Sequence, residues 1–202
     1  NDNNTFLGPI RLREALYKSR NLVSIRLLQA MGIENTLRYI ERFGFNRQDL
    51  PRNLSLALGT ANLTPMEIAT GWTAFANGGH KVQPYLIQRI DRHGDPLFIA
   101  NPPTVPNAAK PEVPPPVNEE GVMSTAEAAP EQLPEAPEPA TAERILDERT
   151  AYIMTSMLQD VIKRGTGRRA MALGRTDLAG KTGTTNESKD SWFSGYNADY
   201  VT

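Results

Sequence analysis

Two short stretches of this 202-residue chain hold the side chains best suited to chemistry: Ser19-Arg20-Asn21 and Lys181-Thr182-Gly183-Thr184-Thr185. Together they offer hydroxyls, a carboxamide and an ammonium, groups that donate, accept and pass protons without a metal. Either stretch alone is weak. A Ser-x-Asn at a helix junction reads as an N-cap, and Lys-Thr-Gly inside a strand reads as ordinary sequence. Other candidates fail on context. Gly165-Thr166-Gly167-Arg168-Arg169-Ala170 matches GxGxxA, but it follows a helix, whereas a dinucleotide fingerprint must follow a strand; it reads as a helix stop and loop. His80 and His93 sit beside glycines in predicted turns and are expected to be solvated. With no cysteine and two histidines, the chain has no disulfide scaffold, thiolate site or cysteine nucleophile, and little material for a histidine metal site. No metal and no cofactor are expected.

The elements that must position the two motifs sit in a chain that is 39% hydrophobic and 22% charged, enough for one ordinary domain or parts of two. A net charge of −1 gives no general electrostatic case for nucleic acid or a membrane surface. Basic residues are dispersed without interleaved aromatics, so nucleic-acid binding is not expected. No apolar run approaches the ~20 residues that span a bilayer, and the polar start is no signal peptide, so any membrane anchor is expected outside this chain. The composition is uneven. Residues 101–143 hold 11 of the 16 prolines and eight glutamates against one lysine, a charge of −7, leaving +6 for the rest. Such a stretch buries too little apolar surface to offset its ordering entropy and reads as a disordered surface insertion.

Along the folded part, residues 10–18 read as a short amphipathic helix, interrupted by Ser19-Arg20-Asn21. A second helix follows over 22–31, closed by Gly32 in the left-handed conformation. Ile33, Leu37, Ile40 and Phe43 mark a third, ended by Gly44. Thr64-Pro65-Met66-Glu67 predicts a capped helix start with a capping box, above a face of Ala69, Trp72, Phe75 and Ala76. Residues 82–92 read as a strand, turning at 92–95 into Leu97-Phe98-Ile99. Asp147 caps a helix bearing Ala151, Met154, Leu158 and Val161 on one face. Residues 178–185 and 191–196 read as two strands joined by the polar turn 186–190. Helices first and antiparallel strands after them predict an α+β layer arrangement.

In this order the two motifs resemble the SxN and KTG motifs of serine β-lactamases and penicillin-binding proteins. The stretches LREALYKSRN, LSLALGTANLTPMEIATGWTAFANGG and KTGTTNESKDSWFSGY resemble the transpeptidase domain of bifunctional class A penicillin-binding proteins through nearly all of the folded part. The resemblance implies that fold, with 1–202 forming part of one transpeptidase domain interrupted by 101–143. It implies a D,D-transpeptidase that cross-links peptidoglycan stem peptides through a serine acyl-enzyme and is acylated by β-lactams. It places Ser19 and Lys181 on one side of a cleft, where the ammonium helps a proton reach the departing amine. Asn21 is implied to hold the lysine of the nucleophile motif and the substrate amide. Gly183 would leave room for a substrate strand, and Thr182 and Thr184, with Thr185 beside them, would bind the terminal carboxylate. The Thr184 N–H would be one oxyanion donor.

The family's nucleophile lies in an SxxK motif, and this chain has none. Ser24, Ser55, Ser124 and Ser156 are followed at the third position by Leu, Leu, Glu and Gln, and Ser19 and Ser188 by Leu and Ser. The expectation is a fragment incomplete at both ends, with its nucleophile upstream and inactive alone. The resemblance further implies an N-terminal glycosyltransferase domain, a membrane anchor, a lipid II-derived glycan partner and a periplasmic location at the inner membrane. Two other readings stay open: a non-catalytic penicillin-recognising sensor or scaffold domain, and a serine β-lactamase.

Overall fold

Side-chain capping sets the starts of two of the five described α-helices, those beginning at Pro65 and Glu148. The computed structural model describes residues 7–106, 138–185 and 189–202; the greater part of the Pro/Glu/Ala-rich stretch, 107–137, and residues 186–188 of the expected polar turn lie outside them. The chain divides into two units, residues 1–81 with 144–202, and residues 82–143.

The first unit contains α1 (Leu12–Tyr17), α2 (Asn21–Met31), α3 (Ile33–Ile40), α4 (Pro65–Ala76), α5 (Glu148–Arg164), β3 (Ala179–Thr184) and β4 (Ser191–Tyr196). At the start of α4 the Thr64 hydroxyl accepts from the Glu67 N–H at 3.2 Å, and the Glu67 carboxylate accepts from the Thr64 N–H at 2.7 Å. This is the expected capping box, and such a cap stabilises a helix by ~1 kcal/mol. Asp147 accepts from the N–H groups of Arg149 and Thr150 at the start of α5. Gly32 has φ +82° but an extended ψ of 137°, so it closes α2 without the left-handed helical conformation and hands the chain directly to α3. A short 3-10 turn, Glu41–Phe43, extends α3 to Gly44, the expected stop, which is left-handed.

β3 and β4 pair antiparallel in a register that sets Ala179 opposite Tyr196 and Thr184 opposite Ser191. Helix α5 packs on β3, α1 on α5, and α4 on both β4 and α5. The core between these layers is Leu158, Ala179 and Tyr196, with Leu16, Trp72, Phe75, Ala76 and Val201 against it. The Trp72 ring lies edge-on to Phe75 at 5.8 Å and 6.2 Å from Tyr196. The buried Tyr196 hydroxyl meets that of Thr155 at 2.8 Å, and burial pushes its pKa up.

His80 departs from the sequence expectation: it is 4% exposed, not solvated. Asn77 organises this turn, its carboxamide oxygen accepting from the N–H of Gly79 and His80 and its amide donating to the His80 carbonyl. The Gly79 carbonyl accepts from Ile145 and Leu146 N–H, and His80 bridges Arg144, so the points where residues 82–143 leave and return are tied together. A Cβ on Gly79 would stand 2.1 Å from the Leu146 carbonyl oxygen, which is why glycine occupies that position.

The second unit contains the expected hairpin, β1 (Arg89–Arg92) and β2 (Asp95–Ile99), with both turn residues at positive φ, His93 at 54° and Gly94 at 92°. A two-residue turn of that kind matches the twist of antiparallel strands. The strand is shorter than the predicted 82–92, with 82–88 irregular. Pro84 contributes no N–H to a ladder there.

Candidate active site

Ser19 sits at the end of α1, not at the start of α2. The Ser19 N–H donates to the Leu16 carbonyl at 3.0 Å, and the Arg20 N–H to the Ala15 carbonyl at 2.9 Å. These are the two bonds of a Schellman motif, and Ser19 occupies the position where glycine is the default residue. Its φ is +52°. The N-cap expected of this motif is therefore corrected: Arg20 is the cap residue of α2, without a side-chain bond, and Asn21 is the first helical residue. A serine held left-handed is costly, and the hydroxyl is what glycine would lack.

That hydroxyl accepts from the Lys181 ammonium at 2.8 Å, across 162 positions of sequence. Lys181 also donates to the Thr182 carbonyl at 2.7 Å. Burial alone pushes the Lys181 pKa below the usual lysine value.

The strand register decides which groups of β3 are free. The Thr185 N–H donates to the Asp190 carbonyl at 3.1 Å, and Gly195, opposite Gly180, exchanges bonds with Thr202 on the far side of β4. Antiparallel pairing alternates, so the N–H groups of Thr182 and Thr184 point to the outer edge of β3. No described strand pairs with that edge. Gly183 and Thr184 are exposed, and a Cβ on Gly183 would meet only Trp192 at an ordinary 3.6 Å. Gly180 differs: a Cβ there would be 2.5 Å from the Phe193 ring, so packing inside the fold requires it. The fold makes no such demand at Gly183. The Thr185 hydroxyl accepts from the Asp190 N–H at 2.8 Å and so closes the hairpin end.

Ser19, Lys181 and Thr182 are thus brought together, with Thr184 on the same strand edge. Asn21 lines, with Ser19, Ile10, Val23 and Arg26, an open cleft of about 690 Å³, and its side chain forms no hydrogen bond with the described residues. The sequence reading missed Thr166. Its hydroxyl lies 2.6 Å from that of Thr182. The available signal was the threonine between two glycines, set aside as a helix stop. Among the described residues no cluster of three metal-ligating side chains occurs, and no helix is long and apolar enough to cross a membrane.

Comparison with known proteins gives the family and the fold. The family model for the penicillin binding protein transpeptidase domain matches residues 1–200. Penicillin-binding protein 1A of Pseudomonas aeruginosa is 63% identical over the whole chain, and that of Neisseria meningitidis is 42% identical. The chain spans 26% and 21% of the lengths of these two relatives. The crystal structure of penicillin-binding protein 1A from Haemophilus influenzae superposes with a TM-score of 0.78 at 34% identity, covering all of this chain and 30% of that one. The D,D-transpeptidase domain of a peptidoglycan glycosyltransferase from Eggerthella lenta, 24% identical, shares the fold at a TM-score of 0.62, over 98% of this chain and 48% of its own. An α+β arrangement that brings SxN and KTG residues into hydrogen-bond contact, and a family match over nearly every residue, lead to one conclusion: the chain belongs to the penicillin-binding protein transpeptidase family.

Proposed function

We propose that this chain supplies the SxN and KTG walls of a peptidoglycan D,D-transpeptidase site. The observation that carries the reading is the 2.8 Å bond from the Lys181 ammonium to the Ser19 hydroxyl, beside the edge of β3 that no described strand pairs with. A stem peptide ending in D-Ala–D-Ala lies along that edge as an added strand, with Gly183 leaving it room. A serine outside this chain, which contains no SxxK, attacks the penultimate carbonyl. The serine oxygen–carbon bond forms as the serine's proton passes to the lysine of the nucleophile motif, which hands it on to replenish the Ser19–Lys181 pair; the peptide C–N bond breaks, and D-alanine leaves with a proton supplied by that pair.

Lys181 and Ser19 move that proton. Ser19 gives its hydroxyl proton to the departing amine and is reprotonated by the ammonium, whose acidity burial increases. The outward N–H of Thr184 stabilises the developing oxyanion, and the hydroxyls of Thr182 and Thr184 bind the terminal carboxylate. Asn21, on the cleft it shares with Ser19, holds the substrate amide and the lysine of the nucleophile motif. The amine of a second stem peptide then attacks the ester, forming the cross-link and freeing the serine. A β-lactam follows the first half of this path, and its tethered amine stays in the site. The rest of the parent protein carries a glycosyltransferase domain that works on lipid II-derived glycan, and an anchor to the inner membrane; the site faces the periplasm. No cofactor takes part. Residues 101–143 interrupt the domain and take no part in catalysis.

The test is acylation of the full-length parent by a labelled penicillin. Lys181→Ala and Ser19→Ala should each slow it by about a hundredfold or more. Their double mutant should lose far less than the product, because the two act in one relay. The isolated 202-residue chain should form no adduct by mass spectrometry. A full-length parent that forms no covalent adduct would be a sensor or scaffold, and an adduct on a serine of this chain would overturn the location of the nucleophile.

A further inference from the structure

The Gly165-Thr166-Gly167 turn holds one hydroxyl between two walls of the site. Thr166 donates its N–H to the carbonyl of Tyr17, the last residue of α1, at 3.1 Å. Its hydroxyl lies 2.6 Å from that of Thr182 on β3. Neither flanking glycine can be replaced without movement. A Cβ on Gly165 would stand 2.4 Å from the Tyr17 carbonyl oxygen, and one on Gly167 2.9 Å from the Ile162 side chain. The turn therefore presses against both α1 and its own helix, and Thr166 has little freedom of position.

Two hydroxyls in contact carry two protons, and the bond between them uses one. Whichever oxygen donates within the pair, a single O–H remains to point beyond it. The Thr182 carbonyl is already occupied by the Lys181 ammonium, so the surplus donor sits beside a cation and two outward N–H groups of β3. That combination suits a carboxylate and nothing neutral better.

We infer that Thr166 is a positioning residue for substrate: through its hydrogen bond it holds the Thr182 hydroxyl in line to donate to the substrate's terminal carboxylate. This rests on the transpeptidase reading above and adds a residue from outside both recognised motifs. Selectivity for carboxylate-bearing acylating agents then depends on Thr166 as well as on the KTG strand.

The experiment measures second-order acylation of the full-length parent by benzylpenicillin and by its methyl ester, in which the carboxylate is masked. Thr166→Val should slow acylation by benzylpenicillin about tenfold or more, while changing that by the ester less than about threefold. Thr166→Ser, which restores the hydroxyl, should recover the penicillin rate. Thr166→Val combined with Thr182→Val should be little worse than Thr182→Val alone. Thr166→Ala, which only removes atoms from an exposed side chain, gives the same comparison if valine disturbs folding. Equal losses on penicillin and ester, or no loss on either, would overturn the role of Thr166. If Lys181→Ala still slows acylation in the same series, the transpeptidase reading survives that result. If Lys181→Ala has no effect, the reading itself falls.

Discussion

Arg13 of α1 donates to the Asp160 carboxylate of α5 at 2.9 Å, joining residues 147 apart in sequence. Asp160 is 6% exposed, and Arg164 holds its other oxygen at 3.0 Å. Arg13 also reaches the Ser156 hydroxyl at 3.0 Å. This clamp fixes α1 on α5, and Ser19 is set by the end of α1. Asp160→Ala is expected to destabilise the parent domain by ~1–3 kcal/mol, less than a fully buried pair because Arg13 can turn to water. Acylation of the remaining folded protein should also slow, as Ser19 loosens against Lys181. Urea unfolding followed by penicillin labelling checks both parts.

The left-handed Ser19 gives a prediction in which stability and activity move apart. Ser19→Gly relieves the strain at φ +52°, while Ser19→Ala keeps it. The glycine variant should be more stable than the alanine variant by ~1 kcal/mol, and both should lose acylation equally for want of the hydroxyl. Thermal melts of the two variants side by side decide it; an alanine variant as stable as glycine would mean that the junction relaxes.

At the start of α4, Thr64→Ala should cost ~1 kcal/mol and leave acylation kinetics unchanged. Acid titration gives a second reading. The Glu67 carboxyl sits below its ordinary value of 4.5, first because of the Thr64 backbone N–H and then its hydroxyl. A depressed carboxyl stabilises the fold above its unfolded pKa, and that contribution disappears as pH falls through the lower folded value. Glu67→Gln should therefore flatten this acidic part of the stability profile, measured by denaturant titration from neutral to acid.

The bonded neck at Gly79, His80, Arg144 and Ile145 predicts that residues 82–143 can be replaced by a short glycine-rich turn. The parent should keep a cooperative melt, and acylation should stay within about twofold, the range of a neutral surface change. A loss of tenfold or more would show that the excised unit supports the catalytic one. Carrying the deletion only from 101 to 143 distinguishes the hairpin from the Pro/Glu/Ala-rich stretch as the source of any loss.

Much of this protein is legible in local chemistry. The Thr64–Glu67 box, the Asp147 cap, the Gly44 stop and the Arg92–Asp95 turn each depend on groups within about four residues of one another, and the chain carries all the partners needed. The SxN and KTG blocks were visible as a resemblance, and with them the family. Three-dimensional packing alone decided the rest. Ser19 was legible as a polar residue at a junction, but its left-handed backbone arises because α1 ends and α2 begins within the same few residues. His80 looked like a turn residue, yet it is buried where the chain pairs with Arg144, 64 positions on. Thr166 read as a helix stop, since nothing near it in sequence reveals that Tyr17 and Thr182 stand on either side. Such contacts join residues far apart in the chain, and their geometry comes from how α1, α5 and β3 pack on a shared core. A periodicity or a cap cannot encode that distance; only the assembled layers bring the Lys181 ammonium to the Ser19 hydroxyl.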